Sequence, residues 1–440
     1  MVYVFPLYDD DSAYYLLLAR AIRQGTFFSQ DVGGRTPLFP LFVALLGGNG
    51  QGVFAGNLVL GVLTSQLLFR IFLRVPDSPA LAVAVALVYT LNPSTIRFER
   101  TVLTEILACF LISLGTLFAV NACNSRVNFA RCTGLSSTAF SLAAVTRPVF
   151  QLLPLAAMAA IIGLTWKERA IRGRTSKAIA AGLIPFAVLV MGWEMLNYGR
   201  FGWFTLSTFS GYHLTNHTGQ FMNEAPPQYA RIAGIYLRYQ EAHLRDTGMR
   251  ANAIWEAREE MKQATGMNDV QLSRSLVSLS LRLIISHPAG YLESVGHSFK
   301  RFWRPPVYAR GCNIGDFRKR LREVLARRTP WFELFYPYLY LPLVLAYPFS
   351  LVGPLMVRDW RRLLWAPGMW VVHWVIIYTA VISSLSGYGE NNRFKFPVEG
   401  LMIGVAFTMF YVILQESRGM GGRRTILARI SHHDSGRAGL

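Results

Sequence analysis

Long apolar runs alternate with short polar segments over most of this chain. Several runs are long enough to cross about 30 Å of hydrocarbon as helices, and shorter apolar runs lie between them. Together they predict about nine membrane spans in an all-α polytopic membrane protein. The long runs are 52–72, 102–122, 177–196, 331–356, 363–385 and 396–414, and the shorter ones are 79–91, 133–146 and 150–166.

Two shorter patterns precede the first span. Residues 12–24 place an apolar stripe on one side, with Arg20 and Arg23 offset from it, and Gly25 follows. This pattern predicts a short amphipathic helix that lies in the membrane interface. Segment 35–46 is apolar but too short to span the bilayer, so we expect a juxtamembrane or re-entrant helix there.

A water-facing insert interrupts the apolar runs, because hydropathy falls and acidic residues appear between the long runs 177–196 and 331–356. Helical periodicity within it predicts helices over 229–239, 250–265 and 270–287. Asn268 with Gln271 has the pattern of a helix start. The chain therefore divides into an external loop with amphipathic helices (1–51), about six spans (52–196), a helical insert (197–330), three spans (331–415) and a basic tail (416–440).

Charge sets the orientation of these spans. The chain is 52% hydrophobic and 16% charged, with a formal net charge of +19. The basic residues fall in alternate loops, which the positive-inside rule places in the cytoplasm. Because they spread along a membrane surface and form no single patch, a nucleic-acid partner is not expected. The chain contains no CxxC motif, so its four cysteines predict neither a metal site nor a disulfide framework.

The same orientation places the N-terminal segment outside, although no signal peptide precedes it. Either a short N-terminus is translocated, or a first transmembrane helix lies upstream of Met1. We favour the second interpretation.

Ionisable residues collect at the predicted external ends of the spans. Asp9-Asp10-Asp11 cannot enter hydrocarbon and must lie in water beside the membrane, where a solvated loop is the simplest alternative to a site. Glu105 is expected about a turn inside a span, which is costly unless the carboxylate is paired or faces a wet cavity. Its alternative role is an ion pair with Arg100 or Arg147 that holds helices together.

This mixture of acids and bases suits one chemistry. Arginine and lysine side chains at an outer membrane boundary can bind the phosphate of a lipid-linked substrate. A nearby carboxylate can take a proton from an attacking hydroxyl. Sugar transfer from a phosphate leaving group needs both functions. Nothing in the sequence requires a metal or another cofactor.

Four short motifs resemble GT-C fold glycosyltransferases, in particular the bacterial group similar to aminoarabinose transferases and protein O-mannosyltransferases (the RgtA/B/C/D-like group). The resemblance covers nearly the whole chain in order and spacing. Two features depart from the family: its first helix is missing, and the external insert lies mid-chain. The motifs are Asp11-Ser12-Ala13-Tyr14-Tyr15 with Arg35-Thr36-Pro37-Leu38-Phe39-Pro40, Leu103-Thr104-Glu105, Thr146-Arg147-Pro148 and Asn392-Arg393-Phe394-Lys395-Phe396-Pro397.

The resemblance implies a GT-C-like helical bundle and an inverting transfer from a polyprenyl-phosphate sugar. Asp11, or else Asp10, matches the aspartate that acts as general base in the family. Glu105 then orients the loop or an acceptor hydroxyl, and Tyr15 packs beneath the loop or contacts a sugar. The groups expected to bind substrate, chiefly the donor phosphate, are Arg35, Arg147, Arg393 and Lys395.

The expected protein is thus a glycosyltransferase of the bacterial inner membrane with its active site on the periplasmic side. Its partners would be the lipid-linked donor, membrane lipids and a glycolipid, polysaccharide or protein acceptor. Two alternatives from other classes stay open, a flippase or transporter of lipid-linked sugars and a non-catalytic envelope scaffold. A transporter is disfavoured because no repeat is visible and the charges gather at one interface.

Overall fold

The computed structural model describes residues 6–29, 34–75, 78–124, 127–166, 173–247, 252–304, 332–389 and 391–419. Across these residues the chain is all α-helical apart from turns and one isolated bridge between Leu7 and Thr101. Ten helices precede the insert: α1 (Asp10–Arg23), α2 (Leu38–Leu45), α3 (Gly50–Arg74), α4 (Pro79–Leu91), α5 (Pro93–Arg100), α6 (Glu105–Asn124), α7 (Phe129–Ala144), α8 (Leu153–Thr165), α9 (Thr175–Pro185) and α10 (Gly192–Phe201).

The remaining helices form the insert and the C-terminal membrane part. The insert contains α11 (Ser210–Thr218), α12 (Ala230–Thr247), α13 (Ala253–Thr265), α14 (Asp269–Ser286) and α15 (Pro288–Phe302). The C-terminal part contains α16 (Phe332–Met356), α17 (Arg361–Leu364), α18 (Pro367–Ser386), α19 (Asn391–Phe394) and α20 (Phe396–Gly419).

The chain is a multi-pass membrane protein. Six helical segments in the described residues are long and apolar enough to cross a bilayer, and a seventh is possible if α4 and α5, bent by 52° at their junction, count as one span. The six are Gly50–Arg74, Glu105–Asn124, Pro148–Thr165, Thr175–Phe201, Pro367–Ser386 and Phe396–Ser417.

Helix α7, near the predicted span 133–146, does not reach the hydropathy of a span. Its hydroxyl groups face protein: Ser136 donates to the carbonyl of Gly115 at 2.9 Å, and Ser137 donates to that of Gly182 at 2.6 Å. A helix enclosed by neighbours can carry polar groups that are hydrogen-bonded to those neighbours.

The helices run back and forth, so the connecting loops gather at two ends of the bundle. At one end Arg74 contacts Asn121, and Trp360 donates to Glu416 at 2.7 Å. Among the described residues, Arg74 and Arg174, which belong to loops predicted to be cytoplasmic, lie at this end, which we call the basic end. The insert and the α1–α2 segment lie at the opposite end.

Helix α9 does not continue regularly into α10. Pro185 lacks an N–H and cannot complete the α-helical ladder, and a π-helical turn over Phe186–Met191 follows it. This turn widens the helix where it passes the end of α7.

The insert has a core of its own, in which α12, α13 and α14 are packed together with α11. The start of α14 is a capping box, in which Asn268 and Gln271 bond each other's backbone as the sequence predicts. Helices α11 and α15 were not predicted from the sequence. Helix α15 attaches the insert to the membrane part, since the Tyr291 hydroxyl donates to the Leu385 carbonyl at 2.9 Å.

His217 makes the insert sensitive to acid. It is buried beside Ser294, at 2.8 Å, and burial lowers its pKa from 6.5 to about 4. Below pH 6.5 the unfolded chain therefore binds a proton that the folded chain excludes, and stability falls until about pH 4. The loss is about 3 kcal/mol at most.

We expect H217Q to reduce, by the share that His217 contributes, the dependence of the thermal midpoint on pH between 6.5 and 4, measured by tryptophan fluorescence of the purified full chain. H297Q, at an exposed position of α15, is the matched control and should keep the wild-type slope. An H217Q slope equal to wild type would contradict the assignment.

Candidate functional site

Five charged side chains from distant parts of the sequence meet at the insert end of the bundle. Arg35 pairs with Asp11, and Arg393 pairs with Glu105. Arg147 Nη1 lies 3.1 Å from Glu105 Oε1, and Arg393 Nη2 lies 3.8 Å from Asp11 Oδ2. Arg393 thus joins the two carboxylates. We call Asp11, Arg35, Glu105, Arg147 and Arg393 the ionic cluster.

Backbone pairing brings Asp11 to Glu105. Leu7 exchanges hydrogen bonds with the segment before α6, donating to the Arg100 carbonyl at 2.7 Å and accepting from Val102 at 3.1 Å. The Ser12 hydroxyl then donates to the Val102 carbonyl at 3.0 Å. The start of α1 is therefore fixed against the start of α6.

Two further hydrogen bonds bring the segment of Arg35 next to the segment of Arg147. The Thr36 hydroxyl donates to the Thr146 carbonyl at 2.8 Å, and the Leu38 amide donates to the Val145 carbonyl at 3.2 Å. Arg35 directly precedes Thr36, and Arg147 directly follows Thr146. These hydrogen bonds therefore hold the reversal between α7 and α8 against the start of α2.

The short helix α19 carries the last member of the cluster. Asn391 is fully buried and donates to the carbonyls of Ser383 and Gly387, at 2.9 and 3.1 Å, which fixes α19 on the end of α18. The Arg147 guanidinium lies 4.9 Å from the centroid of the Phe394 ring. Neighbouring residues of α19 therefore contact both Glu105 and Arg147.

The five side chains of the cluster differ in how much of their surface is exposed to solvent. The exposed fractions of the side chains are 0% for Glu105, 10% for Arg147, 19% for Arg393, 23% for Arg35 and 32% for Asp11. Three guanidinium groups face two carboxylates, so the cluster has one positive charge in excess. Arg393, Arg35 and Asp11 are the members of the cluster that solvent reaches most.

Glu105 is closer to the membrane boundary than predicted. Helix α6 begins at Glu105 itself, because Thr101 and Val102 pair with the segment before α1 and cannot be helical. The carboxylate lies at the helix N-terminus, where the helix dipole favours negative charge. Its complete burial favours orientation of arginines over contact with an acceptor.

The other predicted site residues have different surroundings. Tyr15 is buried under the loop, with its hydroxyl accepting from Arg35 at 3.3 Å. Asp10 begins α1, but its side chain lies outside the described residues. Lys395 requires a correction: it is fully buried, bonds the Arg304 carbonyl and lies 4.1 Å from the Tyr340 ring centroid. The structure does not bring it into the ionic cluster.

His213 was not among the site residues predicted from the sequence. The structure leaves it exposed in a recess beside Trp255, with ring centroids 5.5 Å apart. Its pKa falls to about 4, first through loss of hydration and then through the Arg35 charge, while Asp11 opposes the shift. His213 therefore adjoins the open side of the cluster. No local sequence signal could have shown this, because the contact joins α11 to residues far upstream.

An apolar groove of about 330 Å³ begins beside the tie between Leu38 and Val145. The π-helical turn after Pro185 forms its far wall, and polar side chains are absent from its lining. The groove is lined by Pro37, Leu38, Leu41, Leu142, Val145, Val188, Leu189, Gly192, Trp193 and Leu196.

Within the described residues, no three His, Cys, Asp or Glu side chains are grouped as metal ligands would be. The chain matches no protein-family model, and it has no significant match among curated proteins or solved structures.

Removal of the Glu105 carboxylate should strongly destabilise the full chain. E105A removes the buried carboxylate that pairs with Arg147 and Arg393, and breaking a buried ion pair typically costs about 3–5 kcal/mol. Adding R147M should recover part of this loss, because one unpaired charge is then removed as well. Thermal unfolding in detergent measures both effects.

E293Q, on the exposed side of α15, is the matched acidic control and should unfold like wild type. If E105A alone were as stable as wild type, the carboxylate would not be holding the two arginines together.

Proposed function

We propose that the chain is a membrane glycosyltransferase that moves a sugar from a polyprenyl-phosphate donor to a hydroxyl or amine of an envelope acceptor. The observation that supports this proposal best is the ionic cluster, in which one partly exposed carboxylate, Asp11, lies beside guanidinium groups in excess. The architecture, a helical bundle with interfacial helices and a polar insert, is compatible with a GT-C-like fold.

Arg393 and Arg147 suit the donor phosphate. The phosphodiester of a lipid-linked sugar has one negative charge, which the excess positive charge of the cluster would balance. When the bond from the anomeric carbon to the phosphate oxygen breaks, that oxygen takes the electron pair and the phosphate gains charge. Guanidinium groups held in place by Glu105 would stabilise this increase more than the ground state.

Asp11 suits the role of general base. The acceptor oxygen forms the new bond to the anomeric carbon, and its proton passes to the carboxylate. The base and the leaving phosphate lie on different sides of the reacting carbon in such a displacement, which accounts for inversion. Asp10 remains the alternative base.

The apolar groove suits the lipid part of the donor. It starts at the hydrogen bond between the backbones of Leu38 and Val145, close in the chain to Arg35 and Arg147. Its lining consists of aliphatic and aromatic side chains. A polyprenyl chain there would bury apolar surface while its phosphate stays at the cluster. The positive-inside rule would place the basic end in the cytoplasm and the cluster on the periplasmic face of a bacterial inner membrane.

We expect the double variant D10N/D11N to abolish transfer in proteoliposomes, because an amide cannot accept the acceptor proton. The donors are a panel of polyprenyl-phosphate hexoses and pentoses, and product is measured by mass spectrometry with an envelope extract as acceptor. The loss should be about 100-fold or more.

D9N, in the same acidic run and exposed, is the matched control and should stay within twofold of wild type. Near-normal transfer by D10N/D11N with wild-type folding would rule out the assigned base. Donor movement across the bilayer without any transfer would favour the transporter alternative.

Filling the groove should discriminate between donors by chain length. L189W places an indole in the groove, and we expect the half-saturating concentration of a long polyprenyl donor to rise about tenfold, while a short farnesyl donor changes little. I184W, exposed on the same helix but outside the groove, is the control. Equal effects on both donors would contradict a lipid-binding groove.

A further inference from the structure

The insert presents a wall of rings and cations toward the open side of the cluster. Phe209 and His213 are one turn apart at the start of α11, where the His213 amide donates to the Phe209 carbonyl at 3.2 Å. The Arg35 guanidinium lies 5.6 Å from the Phe209 ring centroid, and Trp255 of α13 lies 5.5 Å from the same ring. A continuous surface therefore leads from Asp11 through Arg35 to the insert.

Buried contacts hold the base of this wall in a fixed position. Trp255 stacks on Tyr212 with centroids 5.2 Å apart and an interplanar angle of 25°. Tyr212 is fully buried and donates to Asp269 at 3.1 Å, while Arg258 bonds the same carboxylate at 2.6 Å. The half-buried indole and the exposed imidazole thus project from a rigid base.

Charge differs between the wall and the cluster. Asp11 balances Arg35, and Asp269 with Glu259 balances Arg258 and Lys262. The wall is therefore close to neutral, whereas the Glu105 side of the cluster, with Arg147 and Arg393, is positive. A neutral ligand suits the wall, and an anion suits the Glu105 side of the cluster.

We propose that Trp255 and His213 form the acceptor subsite, and that they bind an uncharged sugar residue of a glycan. This inference rests on the proposed function and identifies the acceptor class of the same site. The apolar C–H face of the sugar ring packs on the indole, the imidazole bonds a hydroxyl, and the reacting hydroxyl faces Asp11. The insert then selects the acceptor, while Arg147 and Arg393 bind the donor.

The test uses the full chain in proteoliposomes, with a polyprenyl-phosphate sugar that wild type accepts and the glycan fraction of the producing cell envelope as acceptor. H213A and W255L should raise the half-saturating amount of the glycan fraction at least tenfold. The half-saturating donor concentration should change less than twofold. H213N retains a neutral hydrogen-bonding group and should recover most of the loss. The H213A effect should be equal at pH 6 and pH 8.

H297A is the matched control and should leave both values unchanged. Equal weakening of donor and acceptor saturation, or no change in either, would overturn the inference. Phosphatase treatment of the glycan fraction should not reduce acceptance; a loss of acceptance would show that an anionic group is recognised. If wild type transfers sugar from no donor in the panel, the proposed function fails first and this inference with it.

Discussion

The structure of the site depends on one buried carboxylate. Glu105 begins α6 with its side chain fully enclosed, and it holds guanidinium groups that come from the α7–α8 reversal and from α19. Without it these two guanidinium groups would lose the carboxylate that they share in a mostly buried place, where breaking an ion pair is costly. Because Arg393 also reaches Asp11, the same carboxylate fixes the arrangement around the exposed acid.

The sequence was a good guide wherever one local property decided the outcome. Apolar length predicted most spans, and Asn268 with Gln271 predicted a helix start. It was a poor guide where distant segments compete. Pairing of the segment before α6 with Leu7 moved the helix start to Glu105, and hydroxyl bonds to neighbouring helices allow α7 to be less apolar than a span.

The candidate site shows the same division. Ionisable residues at span ends could be found by counting along the chain, and Asp11, Arg35, Glu105, Arg147 and Arg393 do meet. Lys395 follows the same pattern, yet it is enclosed by a carbonyl and an aromatic ring. No sequence pattern pointed to His213, because its place beside the cluster depends on how the insert packs against the membrane part. Only the folded chain distinguishes these two cases.

The order of the cluster along the chain has a consequence for biosynthesis. The part of the chain from α1 to α8 supplies Asp11, Arg35, Glu105 and Arg147, but the guanidinium that joins both acids comes from α19, which follows the insert and α18. A nascent chain halted before α19 would contain most of the helices but would lack Arg393, which contacts both Asp11 and Glu105. The ionic cluster is therefore complete only once α19 has been made and has docked on the end of α18.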